Sequence, residues 1–149
     1  MSSTTGVPPE EIEITTDQTR FDPSSIIQLL RQTHFAAHRS DAAILKSLKT
    51  SLCFGAFLNS RQVGFGRVIT DYATTAYLCD MAVAPDLRGQ GIGQKLLQAI
   101  LAEPSLKDLK WILRTKDAAS LYARFDFIDP ALPSRYMERT PGNRGWDNT

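Results

Sequence analysis

The stretch that decides the fold is Ala82-Val83-Ala84-Pro85-Asp86-Leu87-Arg88-Gly89-Gln90-Gly91-Ile92-Gly93, followed directly by Gln94-Lys95-Leu96-Leu97. Upstream, residues 76–84 read as a strand stopped by Pro85. Downstream, Ile92, Leu96, Leu97, Ile100 and Leu101 fall on one stripe of a helix over 91–102, with Gln94, Lys95 and Gln98 opposite and Pro104 ending it. Three alternate glycines therefore stand at a helix N-terminus. The first N–H groups of a helix have no helical acceptor and carry partial positive charge, which favours an anion there. The glycines remove Cβ atoms that would hold an anion away, and Arg88 adds a charge-assisted donor. The pattern suits a pyrophosphate. A dinucleotide fingerprint needs Gly-x-Gly-x-x-Gly after the first strand of a parallel unit, whereas Gly89-x-Gly91-x-Gly93 follows what reads as an antiparallel meander. A P-loop ends in Gly-Lys-Ser/Thr, and Gly93 is followed by Gln94-Lys95. The plainer alternative is a glycine-rich turn that merely starts a helix.

Working outward, residues 51–58 and 63–70 read as strands joined at Asn59-Ser60-Arg61-Gln62, a polar turn that makes a hairpin. Residues 71–75 turn the chain into the 76–84 strand. After the helix, 110–114 is a short strand, and strand, helix, strand implies a right-handed crossover with the two strands parallel. Toward the N-terminus, Ile12 and Ile14 alternate with Glu13 and Thr15 as on a half-buried strand. Asp22-Pro23 opens a helix, with Asp22 as N-cap and Pro23 in first position, that buries Ile26, Ile27, Leu29 and Leu30. A second short helix follows Ser40 or Asp41, with Ala42, Leu45 and Leu48 inward, and 33–39 between the two reads as an exposed connection. Toward the C-terminus, Asp117 caps a short helix with Ala118, Leu121, Tyr122 and Phe125 on one face, and 127–128 and 135–138 read as last strands. The expected fold class is α+β, a mixed, mostly antiparallel sheet flanked by helices. It forms a single domain over 1–149, with 1–10 and 140–149 loose.

Composition supports this and narrows function. The chain has 149 residues, 17 Lys plus Arg against 16 Asp plus Glu, and 42% hydrophobic residues, enough for one domain to bury its own core. A net charge of +1, with no basic cluster interleaved with aromatics, gives no expectation of a nucleic-acid partner. No stretch approaches the ~18 apolar residues of a membrane span, and the start has neither the basic nor the apolar region of a signal peptide. No membrane partner is expected, and the protein reads as cytoplasmic. Cys53 and Cys79 lie in apolar runs, where free thiols behave as small hydrophobes. His34 and His38 stand four apart, but no nearby Cys or carboxylate completes a ligand set, so no metal is expected.

Residues 83–97 resemble the acetyl-CoA-binding signature of the GNAT superfamily of N-acetyltransferases, Arg/Gln-x-x-Gly-x-Gly/Ala, here Arg88-x-x-Gly91-x-Gly93. Ala118-x-x-Leu121-Tyr122-x-x-Phe125-x-Phe127 resembles that family's Ala-x-x-Leu-Tyr-x-x-x-Gly-Phe segment. The resemblance covers residues 50–128. It implies that the two parallel strands splay apart with acetyl-CoA, the cosubstrate, between them. Backbone groups of Met81, Ala82 and Val83 would bond the pantetheine arm, and Arg88, Gly89, Gln90, Gly91, Ile92, Gly93 and Gln94 would cradle the pyrophosphate. Tyr122 would be the acid beside the thioester sulfur. Two positions depart from the pattern. Asp126 stands where the family has Gly, a position that often needs a backbone conformation costly for most residues. Thr115 stands where an Asn often precedes the last helix.

Acetyl transfer to an amine poses two proton problems. A lysine-like amine, with a pKa of about 10.4, must lose a proton before it attacks, and the leaving thiolate benefits from gaining one. Asp80, the only charged residue within 76–84 and opposite Tyr77, Cys79, Met81 and Val83, is the candidate base if burial raises its pKa. Its alternative reading is a partner for a nearby Arg or backbone group, and a water chain can do the base's work instead. The alternative for Tyr122 is a core aromatic sharing the stripe of Leu121 and Phe125. Tyr72, Arg135, Tyr136 and Glu138 are candidates to line the acceptor side, and Trp111 reads as packing. The expected function is an N-acetyltransferase moving acetyl directly from acetyl-CoA to a primary amine of a small molecule or peptide. The alternative is a non-catalytic acyl-CoA-binding module. Edge strands leave a homodimer open.

Overall fold

The computed structural model describes residues 11–129, 137–139 and 141. They belong to two compact units, Met1–Arg114 and Thr115–Thr149, taken here in turn. The first is built on a five-stranded sheet in chain order: β1 Ile12–Thr15, β2 Leu52–Leu58, β3 Arg61–Thr70, β4 Thr75–Val83 and β5 Lys110–Leu113. The first four strands run antiparallel and β5 runs parallel to β4. Helices α1 Pro23–Arg31, α2 Asp41–Lys49 and α3 Ile92–Leu101 complete the unit, giving the α+β architecture expected.

Local chemistry sets the helix starts. The Asp22 carboxylate accepts from the Ser24 N–H with Pro23 in the first turn, and Ser40 Oγ accepts from the Ala43 N–H at 3.1 Å. The core joins Ile26, Leu29 and Leu30 of α1 and Ile92, Leu96, Leu97 and Ile100 of α3 to Phe54, Phe57, Val63, Phe65 and Val68 of the sheet. Gly66 lets α3 approach, because a Cβ there would stand 2.8 Å from Ile100 Cδ1.

The structure corrects several elements. In α2 the inward residues are Ile44 and Leu48, one helical turn apart, while Ala42 and Leu45 are exposed. Spaced i and i+4, Ile44 and Leu48 share the single stripe of this short helix that packs inward. The β2–β3 turn is only Asn59-Ser60, with Asn59 in the left-handed region at φ 56°. Gln62 belongs to β3 and is buried, its amide accepting from the Asp22 N–H at 3.0 Å and donating to Gly64 O at 3.3 Å. A polar residue serving the core made the turn read longer than it is. The 33–39 connection is not simply exposed, since Ala36 is fully buried and Arg39 reaches an interior carboxylate.

In the second unit, α4 spans Ala119–Ala123, with Ala118 at its N-cap position. Asp117 does not cap it. The Ala118 N–H donates instead to Thr115 Oγ1 at 2.9 Å, so the hydroxyl that replaces the family's Asn makes the local bond at the helix start. Leu121, Tyr122, Phe125 and Phe127 are half-buried. Residues 127–128 form no strand, and Ile128 is exposed. Of the expected strand over 135–138, Arg135 and Tyr136 lie outside the described residues and Met137 and Glu138 have no regular structure.

Candidate active site

At the end of β4 the Ala84 N–H donates to Val63 O at 2.8 Å, and Pro85–Leu87 forms one 3-10 turn that buries Leu87. The chain then bends at Gly89, φ 78°, and at Gly91, φ 86°, the N-cap position of α3. Both angles lie where a Cβ is penalised. No side chain caps α3, and its first turn closes only at Lys95 N–H to Gly91 O, 3.0 Å. The N–H groups of Ile92, Gly93 and Gln94 therefore stand at the positive end of the helix without a side-chain acceptor among the described residues. Among the described residues, a Cβ built on Gly89 or Gly91 would meet no atom within 4 Å beyond its chain neighbours, so no described side chain fills the space at the turn. Arg88 is exposed and lies back along β4, its Nε donating to Val83 O at 3.2 Å. The turn is braced from β3, where the Arg61 guanidinium forks onto Asp86 at 2.9 and 3.0 Å. That hydrogen bonding, with the charge of Arg61, holds the Asp86 carboxyl below its usual range. These residues fit a pyrophosphate.

β4 outruns its parallel neighbour. The register with β5 runs from Thr75↔Lys110 to Leu78↔Leu113, while β4 continues to Val83 paired on its other side with β3. Arg67↔Asp80 is followed by Val68↔Leu78 in the β3–β4 register, which leaves Cys79 as the extra residue of a bulge. The bulge falls where the β5 ladder stops, and Met81, Ala82 and Val83 follow it.

Asp80 sits at this bulge with its side chain fully buried. Its Oδ2 accepts from Arg39 Nη1 at 2.8 Å and from Arg67 Nε at 2.7 Å. Arg67 also donates through Nη1 to Ser51 Oγ at 3.1 Å and through Nη2 to Cys79 Sγ at 2.9 Å. Cys79 is therefore not turned away from Asp80, because the bulge brings its sulfur to the same guanidinium. Burial alone would raise the Asp80 pKa, but hydrogen bonds and charge from the two arginines outweigh it and hold the carboxyl below the usual range. The rise toward neutrality that a base needs is not there, and the ion-pair reading describes the residue. Neither Arg39 nor Arg67 was singled out by the sequence. The available signal was an Asp amid apolar strand residues, which demands a cation, and Arg67 as the charged residue within the apolar run of β3.

Both cysteines are free thiols; burial pushes Cys53 up to about 11 and Cys79 upward as well, with the Asp80 charge adding to it. In the second unit, Tyr122 meets Phe127 edge to face at 5.8 Å, and the Phe125 and Phe127 N–H groups both donate to the Tyr122 carbonyl at 2.9 and 3.3 Å. Asp126 between them is left-handed at φ 71°, the conformation the family's glycine would adopt freely. Burial, then the nearby Asp117, raise the Tyr122 pKa, so its hydroxyl keeps its proton near neutrality.

Of the acceptor-side candidates, Tyr72 is exposed in a turn at φ 61° and Glu138 is exposed, while Arg135 and Tyr136 lie outside the described residues. Trp111 is half-buried on β5, and His34 stands edge to face with Phe35 at 5.7 Å. Among the described residues, no three His, Cys, Asp or Glu side chains cluster as a metal site would need, and no helix is long and apolar enough to cross a membrane.

Residues 49–129 match the family model of the acetyltransferase (GNAT) domain. A solved structure from Xanthomonas campestris pv. campestris, belonging to the GNAT family, is 42% identical, with a TM-score of 0.82 over 87% of this chain and 92% of that one. The GCN5-related N-acetyltransferase 3, chloroplastic, of Arabidopsis thaliana is 26% identical over 131 residues, 87% of this chain. The chain spans 55% of that relative's length. A GNAT family acetyltransferase from Elizabethkingia anophelis, solved with acetyl-CoA bound, shares the fold at 21% identity, with a TM-score of 0.60 over 90% of each chain.

Proposed function

The chain belongs to the GNAT acetyltransferase family, and from that premise we propose that it transfers an acetyl group directly from acetyl-CoA to a primary amine. The observation that carries the reading is the α3 N-terminus, which no side chain of the described residues caps and whose turn at Gly89 and Gly91 no described side chain fills, following the stretch of β4 that outruns β5. In this reading the N–H groups of Ile92, Gly93 and Gln94, with the turn at Gly89 and Gln90, bind the pyrophosphate, and Arg88 adds its charge. The backbone of Met81, Ala82 and Val83 holds the pantetheine arm.

The neutral amine attacks the thioester carbonyl carbon, the carbon–sulfur bond breaks, and the departing sulfur takes the Tyr122 hydroxyl proton. Burial, which keeps that hydroxyl protonated, supports this role. Water takes the amine's own proton and returns one to the Tyr122 phenolate, because Asp80 is held charged by two arginines and has little affinity for a proton.

The test is release of CoA from acetyl-CoA across a panel of amines, including lysine-containing and N-terminal peptides, polyamines and aminoglycosides. Saturable release that requires an amine is expected. Replacing Tyr122 by Phe should lower kcat by roughly 100-fold, the low end for general acid catalysis, with CoA affinity unchanged. Tight CoA binding with no turnover on any amine points to a binding module, and unchanged kcat in Tyr122→Phe removes the acid assignment.

A further inference from the structure

Residues 33–39, between α1 and α2, form neither helix nor strand, yet Thr33, Ala36 and Arg39 tie them to the rest of the unit. Thr33 Oγ1 donates to Leu30 O at 2.7 Å and accepts from the Ala36 N–H at 3.1 Å, Ala36 is buried, and the Arg39 N–H donates to Ala36 O at 3.1 Å. From there Arg39 spans 41 positions of sequence to reach Oδ2 of Asp80. Arg67 grips the same oxygen from β3 and also contacts the bulged Cys79. Two guanidinium groups from separate elements thus converge on one carboxylate at the point where β4 leaves β5.

The cluster is an expensive way to fill a core. The Asp80 side chain is fully buried, and its Oδ1 has no hydrogen-bond donor among the described residues. A packed apolar residue would often cost a fold less. What the ions do supply is directional constraint at the bulge, and Met81, Ala82 and Val83 are the next three residues of β4.

We propose that Arg39 is a positioning residue for the pantetheine arm of the donor: with Arg67 it clamps Asp80, the clamp sets the bulge at Cys79, and the bulge aims the backbone of Met81, Ala82 and Val83. Arg39 itself touches no substrate. The proposal rests on the acetyl-CoA reading of β4 and the α3 turn, and it separates the two halves of the donor. The pyrophosphate cradle at α3 does not depend on the clamp, whereas the pantetheine stretch does.

The experiment compares two ligands by calorimetry at a temperature well below unfolding. One is CoA; the other is adenosine 3′-phosphate 5′-diphosphate, which is CoA without its pantetheine arm. In Arg39→Ala the Kd for CoA should rise about ten-fold, the equivalent of one or two misaligned hydrogen bonds, while the Kd for the truncated ligand stays within about two-fold. Arg39→Lys, which keeps a charged donor, should restore most of the CoA affinity. Arg39→Gln provides the same comparison if the alanine variant does not fold. CoA affinity unchanged in the variants, or equal weakening of both ligands, overturns the proposal. Wild-type protein that binds neither ligand overturns the acetyl-CoA reading, and the proposal with it; that pattern is distinct from the other two.

Discussion

Gly91→Ala separates a glycine needed for folding from one needed for a ligand. Gly91 has φ 86°, and among the described residues a Cβ there would meet no atom within 4 Å beyond its chain neighbours. No clash opposes the methyl group, so the folding cost is the left-handed backbone alone, about 1–2 kcal/mol. For a chain of this size that corresponds to a fall in Tm of roughly 3–8 °C, at about 3–4 °C per kcal/mol. The added methyl belongs to the turn that is proposed to cradle the pyrophosphate together with the Ile92, Gly93 and Gln94 N–H groups, so it crowds the ligand there. Loss or lengthening of one charge-assisted hydrogen bond costs about 1.5–3 kcal/mol, or roughly 10- to 100-fold in Kd. The assay is calorimetric titration with CoA beside thermal unfolding of the same preparation. A folded variant whose CoA affinity stays within about two-fold of wild type refutes the cradle, as the space at the turn would then be empty for no ligand's benefit. A collapse in Tm far beyond the backbone cost would refute the claim that no described side chain fills it.

Asp80 makes stability depend on acid. Its folded-state pKa is depressed, so its contribution is fully present above the unfolded value of about 3.9 and is lost as pH falls through the folded-state value. Tm measured from pH 6 to 3 should fall less steeply in Asp80→Asn than in wild type, and parallel curves would remove the ion pairs from the account. Asp126 at φ 71° pays a backbone cost that glycine does not, so Asp126→Gly should raise Tm by the equivalent of about 0.5 kcal/mol, whereas Asp126→Val should lower it. A stabilised valine variant would contradict that strain.

Where one residue's chemistry sufficed, the fold was legible in sequence. The stripe of Ile92, Leu96, Leu97 and Ile100, the Asp22-Pro23 helix start and the strand, helix, strand order around residue 91 each appear as read. Errors came where a short element offered two nearly equal choices. Ala42 and Leu45 lost the inner face of α2 to Ile44, and α4 has Ala118 rather than Asp117 at its N-cap position, with the Ala118 N–H bonded to Thr115 Oγ1. The site was half legible for a related reason. A glycine-rich helix start is local and visible in a line of text. A carboxylate's partners are set by tertiary structure, and nothing local to Arg39 points 41 residues ahead to Asp80. Without those partners, burial alone argued for a raised pKa; with them the sign reverses.

The central claim is that the α3 N-terminus binds the pyrophosphate of acetyl-CoA, and it is tested most directly by titrating ¹⁵N-labelled protein with CoA and following backbone amides. The account predicts saturable shifts, downfield in the proton dimension as N–H groups gain anionic acceptors, concentrated at Ile92, Gly93 and Gln94. CoA that saturates the protein while those three amides stay in place would contradict it.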